Sequence, residues 1–358
     1  MTLFRDRAGA AAALLLGPEL LYRAAVALRN ALYDAGVLRA RRLPCAVVGV
    51  GNLTVGGTGK TPLTSLLAGT LRDAGYRVGV VSRGYRRRGG CSPLLVSDGR
   101  SILADADAAG DEPYLIARDT PAVAVAVGAD RVRAAEALLR AVPCEVIVLD
   151  DAFQHRGMAR DLDLLLVDGR DPWGNGRMLP LGPLREPPSA VSRADALVVT
   201  RSEGRCPAAL APILERHNPK AALFLGRTRP RGFVRGDGES LAPASLKGLT
   251  AYAFSGIARP DRFEDDLRSL GVRVAGAWRF SDHHRFGRRD LEEVARRARA
   301  LAAEVLVTTE KDLVRIARPP DGPPLYALVQ EIVFPDGHDL GGFVLDRLAS
   351  LRRGASRP

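Results

Sequence analysis

Short apolar runs alternate with stretches of helical spacing along most of this chain. The runs at positions 46–50, 77–82, 122–127, 145–149, 164–167 and 196–200 are continuous and rich in Val, Leu and Ala, with a last one at 221–225. Continuous rather than alternating apolar character predicts strands buried on both faces, hence a mostly parallel sheet covered by helices. Among the intervening helices is 129–141, with Arg131 in its first turn. Residues 229–247 are rich in Gly, Pro and charge and read as a linker or hairpin. A second, smaller α/β unit follows from about 249, with strands at 250–255, 272–277, 305–308 and 325–329 and helices at 260–270 and 288–303. The last residues, from Arg352, read as frayed.

The N-terminal pattern differs. Residues 8–16 are unbroken apolar, Gly17, Pro18 and Glu19 interrupt them, and Leu20, Leu21, Ala24, Ala25, Leu28, Ala31 and Leu32 then repeat at helical spacing opposite Arg23, Arg29 and Asn30. The first run is too short to span a bilayer and the second carries charge. Glu19 and Arg23 also spoil a signal-peptide core. Residues 1–36 therefore read as an amphipathic helix lying on an anionic membrane surface, with Arg5, Arg7, Arg39, Arg41 and Arg42 near acidic headgroups. The plainer reading is a helix packed on the neighbouring domain. The division predicted is 1–36 membrane-associating helix, 37–228 main domain, 229–248 linker or hairpin, and 249–358 smaller α/β domain.

The first run leads into chemistry. V-V-G-V-G-N-L-T-V-G-G-T-G-K-T-P, residues 47–62, is strand, glycine-rich loop, Lys-Thr, helix: the layout of a P-loop. Thr54, Val55, Gly56, Gly57, Thr58 and Gly59 would cradle phosphates with backbone N–H groups. Lys60 would reach the outer phosphates, and the Thr61 hydroxyl would hold Mg²⁺. Thr54 stands where the usual pattern has its first glycine. Lysine is scarce, only positions 60, 220, 247 and 311 among 52 basic residues. Where Arg is the default cation, a Lys in such a loop points to a need for a compact point charge.

Composition narrows the partners. The 358 residues suffice for two domains, and 46% apolar content argues against disorder. The formal charge of +11 invites an anionic partner, but aromatics are 5% and no basic stripe is interleaved with them. A phosphorylated substrate or anionic lipid fits better than nucleic acid. Cys45, Cys91, Cys144 and Cys206 are scattered, which speaks against a disulfide framework or zinc site.

Further candidates follow the strands. The run 145–149 ends in Asp150-Asp151, which is how P-loop proteins deliver a carboxylate to Mg²⁺. Asp150 is the formal match, with Asp151 a second candidate, and Gln154 and His155 follow. Ser82-Arg83-Gly84-Tyr85 leaves the second strand on the same sheet edge, where open α/β sheets bind ligands. Asp111, in G-D-E-P, is one carboxylate among 41 acids, of the type that accepts a hydroxyl proton. Arg185 and Glu186 lie in a long Gly/Pro-rich connection suited to phosphate and sugar. In the second unit, S-G-I-A-R-P (255–260), His283-His284 and Thr308-Thr309-Glu310-Lys311-Asp312 follow strands. A helix cap is the simpler reading of the last.

In order and spacing these motifs, with G-N-G-R-M-L-P-L-G-P-L-R-E-P (174–187) and D-H-H-R-F (282–286), resemble the tetraacyldisaccharide 4′-kinase family of lipid A biosynthesis over nearly the whole chain. That family's P-loop also lacks the first glycine. The family often has Gly-Leu where this chain has Ala152-Phe153. The resemblance implies two α/β/α domains that close over nucleotide and ATP-dependent, Mg²⁺-requiring phosphorylation of the 4′-hydroxyl of a tetraacylated glucosamine disaccharide 1-phosphate. It implies a peripheral or monotopic protein on the cytoplasmic face of the bacterial inner membrane, with no protein partner. It gives Asp111 the role of general base with His283 as dyad partner, Asp150 and Asp151 that of an acidic pair near Mg²⁺, and puts Arg83, Tyr85, Arg131, Gln154, His155, Arg185 and Glu186 on active-site positions. Two other functions compete: a P-loop GTPase or ATPase with no lipid acceptor, and a nucleotide-gated membrane-surface binding protein. Against the former, the chain lacks a metal-binding Cys/His cluster and a guanine-reading Asn-Lys-x-Asp.

Overall fold

The structure is a computed structural model and describes residues 10–355 except Arg86, Gly89, Cys91, Glu203 and Asp336. It divides into a first unit, residues up to Arg227 together with Ile332 onward, and a second unit, Thr228–Glu331.

The first unit is built on a sheet of β1 (Ala46–Asn52), β2 (Val78–Ser82), β3 (Leu94–Asp98), β4 (Ala124–Val127), β5 (Val146–Leu149), β6 (Leu162–Asp168), β7 (Ala196–Thr200) and β8 (Ala222–Leu225). Its eight strands run in the order β3-β4-β2-β5-β1-β6-β7-β8. All pairings are parallel except β3 with β4. Alternate side chains enter cores on opposite faces. Val146 and Val148 pack with Leu63 and Leu67 of the helix Lys60–Asp73, while Ile147 and Leu149 pack with Ala134 and Leu138 of the helix Arg131–Ala141. Burial on both faces is the reason the strands read as unbroken apolar runs.

Three features differ from the sequence expectation. The N-terminal segment is one helix, Ala10–Asp34, with Pro18 inside it. A mid-helix proline costs about 3 kcal/mol, but tertiary bonds hold this one: the buried Glu19 carboxylate accepts from the Met178 N–H (3.0 Å). The edge strand β3 was not expected. The chain end belongs to the first unit, not the second. Leu340, Val344 and Leu348, one stripe of the helix Leu340–Ala355, share the core of Leu63 and Leu67. That helix also runs past Arg352, where fraying was expected.

The second unit has β9 (Arg227–Arg235, begun in the first unit), β10 (Ser240–Leu241), β11 (Thr250–Ser255), β12 (Arg273–Arg279), β13 (Val305–Thr309) and β14 (Leu325–Val333) in a six-stranded sheet ordered β10-β9-β14-β13-β11-β12. The stretch taken for a linker is thus part of the sheet, its β9 and β10 an antiparallel hairpin. The helices Pro260–Ser269 and Arg288–Ala300 again bury opposite faces, Phe263 and Leu267 against Ala251 and Ala253, Leu291 and Val294 against Tyr252 and Phe254.

Candidate active site

In the first unit the predicted site residues lie at the carboxyl ends of the strands. The loop after β1 turns on Gly56 (φ 108°) and Gly59 (φ 92°), the latter capping the helix that starts at Lys60. These dihedrals favour glycine. A Cβ on Gly56 or Gly57 would meet no protein atom within 4 Å, so the loop faces open space on that side. The Thr58 hydroxyl is buried without a protein partner.

The loop is braced on two flanks. From β7, the Thr200 hydroxyl donates to the Thr58 carbonyl (2.9 Å), and Arg201, tied to Asp168 (2.8 Å), donates to the Gly57 carbonyl (3.3 Å). From the other flank the Gly/Pro-rich segment zips onto the loop's start. Val55 N–H donates to the Pro183 carbonyl and Arg185 N–H to the Leu53 carbonyl (2.8 and 2.7 Å). This pairing carries the Arg185 guanidinium to Asp151 (2.8 Å).

Polar groups converge beside the loop. Lys60 Nζ donates to Asn52 Oδ1 (3.2 Å) and lies 3.5 Å from Asp151 Oδ1. The two aspartates have separate environments. Asp150 is buried, accepts from Ser82 Oγ (2.9 Å) and Thr64 Oγ1 (3.1 Å), and burial, reinforced by Glu112 and Asp151, pushes its carboxyl up to about 6. For Asp151 burial pulls the same way, but Lys60 and Arg185 outweigh it and hold the carboxyl below the usual range. Asp151 also adopts a left-handed backbone (φ 51°), a conformation uncommon for a residue other than glycine.

Arg131, the first residue of its helix, is buried over the Asp151 carbonyl (3.5 Å). Burial, then the nearby Arg83 charge, lowers its pKa, with Arg185 adding to the same effect. Arg83, Arg131 and Arg185 therefore crowd one positive region. Gln154 bridges the Asn52 carbonyl (3.0 Å) and Arg185 (3.5 Å). Burial, with Arg131 and Arg160, depresses His155 to about 4, so its ring is neutral at physiological pH. Asp111 is half-buried at the first position of the helix Asp111–Asp119. The preceding Gly110 backs closely onto Gly84 and Tyr85, so the G-D-E-P and S-R-G-Y motifs share one corner, with the Tyr85 ring exposed.

Glu186 has a different setting from its neighbour. Its fully buried carboxylate takes two bonds from Arg193 (2.8 and 3.0 Å) and one from Asn30 (2.7 Å), tying the N-terminal helix to the Arg185 segment. Sequence reading passed over Thr64, Thr200 and Arg201, and gave Ser82 no role of its own within S-R-G-Y. Small hydroxyl residues one helical turn beyond Lys60 and at strand ends were the available signal.

In the second unit, three motifs form one cluster at the ends of β11 and β13. Asp312, fully buried, accepts from the Gly256 N–H (3.1 Å) and from Thr309 Oγ1 (2.7 Å) and pairs with Arg315 (3.0 Å). Arg315 in turn lies 3.2 Å from His283 Nδ1. His283 has a left-handed backbone (φ 60°) and donates its N–H to the Gly256 carbonyl (2.9 Å). His284 instead stacks on Phe280 and pairs with Asp290 (3.0 Å). The helix cap at Thr309 is present, and beside Lys311 it is Asp312 that organises the cluster.

A glycine turn that faces open space, cations on its flank and carboxylates at the ends of parallel strands handle phosphoryl groups, and they define a P-loop phosphotransferase. Residues 11–349 match the family described as LpxK: Tetraacyldisaccharide-1-P 4′-kinase. The tetraacyldisaccharide 4′-kinase of Syntrophus aciditrophicus is 42% identical over 84% of this chain and 83% of its own length. The enzyme of that name from Desulfatibacillum aliphaticivorans is 38% identical over 96% and 94%. The crystal structure of LpxK from Aquifex aeolicus in complex with ATP superposes with a TM-score of 0.78 at 34% identity, covering 94% of this chain and 99% of that one. The chain belongs to the tetraacyldisaccharide-1-P 4′-kinase family.

Proposed function

We propose that the protein transfers the γ-phosphoryl group of ATP to the 4′-hydroxyl of a tetraacylated glucosamine disaccharide 1-phosphate, giving the lipid IVA precursor of lipid A. The observation that carries this reading is the braced glycine loop with Lys60 beside the Asp150–Asp151 end of β5, in a chain whose relatives bear the kinase's name over most of their length.

In this reading the amides of residues 56–61 hold the β- and γ-phosphates, and Lys60, Arg185 and Arg131 offset the charge that spreads over the transferring group. Asp111 accepts the proton of the attacking hydroxyl, and His283 is the second residue proposed to take part in the reaction. Mg²⁺ would be held by Thr61 and the acidic pair, Asp150 foremost, and would neutralise phosphate charge during transfer. The fit is chemical: hard oxygen donors beside a phosphate loop, and a buried carboxylate raised partly by like-charged Glu112 and Asp151, a repulsion that a divalent cation relieves. Among the described residues no cluster of three or more His, Cys, Asp or Glu could enclose a metal.

The N-terminal helix supports attachment to the cytoplasmic face of the inner membrane. Leu14, Leu21 and Leu28, spaced seven apart, are 79%, 75% and 62% exposed, while Val26 packs into the first unit. Among the described residues no helix is long and apolar enough to cross a membrane. An in-plane helix matches both facts.

The experiment is incubation of the purified protein with ATP, Mg²⁺ and the disaccharide 1-phosphate, with the lipid product read by mass and by ³¹P NMR. One added phosphate on the 4′-oxygen is the expected product. An unmodified lipid would refute the proposal.

A further inference from the structure

We propose that Arg315 is a positioning residue that fixes His283 as its Nε2–H tautomer, so that this histidine enters the reaction as a neutral hydrogen-bond donor and not as a proton acceptor. The inference rests on the reading above, in which His283 takes part in phosphoryl transfer.

The argument begins with donors and acceptors. Arg315 Nη2 lies 3.2 Å from His283 Nδ1. A guanidinium carries only N–H donors and stays charged in proteins, so Nδ1 must supply the lone pair. The single proton of a neutral imidazole then sits on Nε2. A second proton on Nδ1 would set N–H against N–H and one cation against another.

Arg315 is not free to turn aside. Its Nη1 donates to Asp312 Oδ1 (3.0 Å) and to the Gly256 carbonyl (3.3 Å). Asp312 is itself anchored by the Gly256 N–H and by Thr309. The Gly256 carbonyl also receives the His283 N–H, so backbone and ring are referenced to one peptide. A Cβ on Gly256 would press at 3.1 Å on both His284 Cβ and the Ser281 carbonyl, so the cluster is closely packed around this glycine. Charged groups near the ring include Arg315, Asp282, whose Oδ1 is 4.0 Å from Nε2, and Asp312 behind Arg315. A carboxylate on the Nε2 side agrees with a proton there. His284, whose Nε2 meets Asp290 directly, has no such arginine among its contacts described above.

The consequence is a proton balance that closes without the histidine. The sugar O–H bond breaks, its oxygen forms the bond to Pγ, and the bond from Pγ to the bridging oxygen of ADP breaks. The proton goes to the Asp111 carboxylate and then to water. His283 begins and ends the cycle with one ring proton.

The test is long-range ¹H–¹⁵N correlation NMR on the full chain labelled at histidine, with the His283 signals identified by their loss in His283→Gln. The result expected is a neutral ring protonated on Nε2, becoming a mixture of tautomers in Arg315→Met. Turnover of the lipid acceptor should fall about 10-fold or more in that variant, with the KM for ATP nearly unchanged and partial recovery in Arg315→Lys. A wild-type ring protonated on Nδ1, or on both nitrogens, would overturn the proposal. If Arg315→Met does not fold, the wild-type spectrum alone decides. An Nε2–H ring together with wild-type turnover in His283→Gln would refute the donor role and the participation of His283 while leaving the hold of Arg315 on the ring intact.

Discussion

The two units share a plan yet treat charge in opposite ways. Each has a largely parallel sheet with helices on both faces and polar motifs at strand ends. In the first unit Lys60, Arg83, Arg131 and Arg185 crowd around two carboxylates beside a loop whose glycines face open space. In the second, Asp312 and Arg315 are buried against each other and against the backbone, and what they present is one oriented histidine. Like charges held together beside an open loop need a ligand to complete them, whereas a buried, hydrogen-bonded pair completes itself. In the proposed reaction the first unit binds and the second positions.

That contrast can be broken most forcefully at Lys60. Lys60→Ala should lower turnover on the order of 10³-fold and weaken nucleotide binding, while thermal unfolding stays near wild type. Asp312→Ala should do the reverse. It leaves Arg315 buried without its partner, a loss of about 3–5 kcal/mol, visible as early hydrogen exchange in the second unit with nucleotide affinity retained. If Lys60→Ala unfolded the protein and Asp312→Ala did not destabilise it, the distinction would fail.

Smaller effects sharpen it. Asp111→Ala should cut turnover by about 10²-fold or more with ATP binding largely intact. Near-normal turnover would remove Asp111 as the base. Thr200→Val deletes one brace of the loop, a hydrogen bond worth roughly 1 kcal/mol. It should raise the KM for ATP several-fold and change kcat less. An unaltered KM would mean that the loop keeps its shape without β7.

How much of this was legible in the sequence depends on what each residue answers to. Doubly buried strands announce themselves as apolar runs, so β1, β5 and β7 lie close to their expected places. β9 did not: R-T-R-P-R-G-F-V-R carries every mark of a loop, and it is a strand because tertiary pairing overrides local preference. The Cβ absent at Gly232 leaves room for the Leu241 carbonyl of β10. Pro18 likewise looked like a break because the partner that holds its turn, Met178, is far along the chain. The return of Leu340, Val344 and Leu348 to the first core was hidden for the same reason, since a helical stripe does not name the surface that receives it.

In the site, Lys60 and Asp150 were legible because their spacing from glycines and strand is local. The roles of Asp150 and Asp151 were not. Only the fold shows that Ser82 and Thr64 enclose the first while Lys60 and Arg185 claim the second. The rarity of lysine drew attention to Lys311, while the buried neighbours Asp312 and Arg315, common types in this chain, gave no compositional signal.

The central claim is that this chain moves a phosphoryl group from ATP to a lipid-linked sugar. Its most direct test is the ratio of newly phosphorylated lipid to ADP, measured with γ-labelled ATP in the presence and absence of the disaccharide 1-phosphate. A ratio near one, with little ADP formed when the acceptor is omitted, is the predicted result. ADP released without label in the lipid, at a rate indifferent to the acceptor, would contradict it.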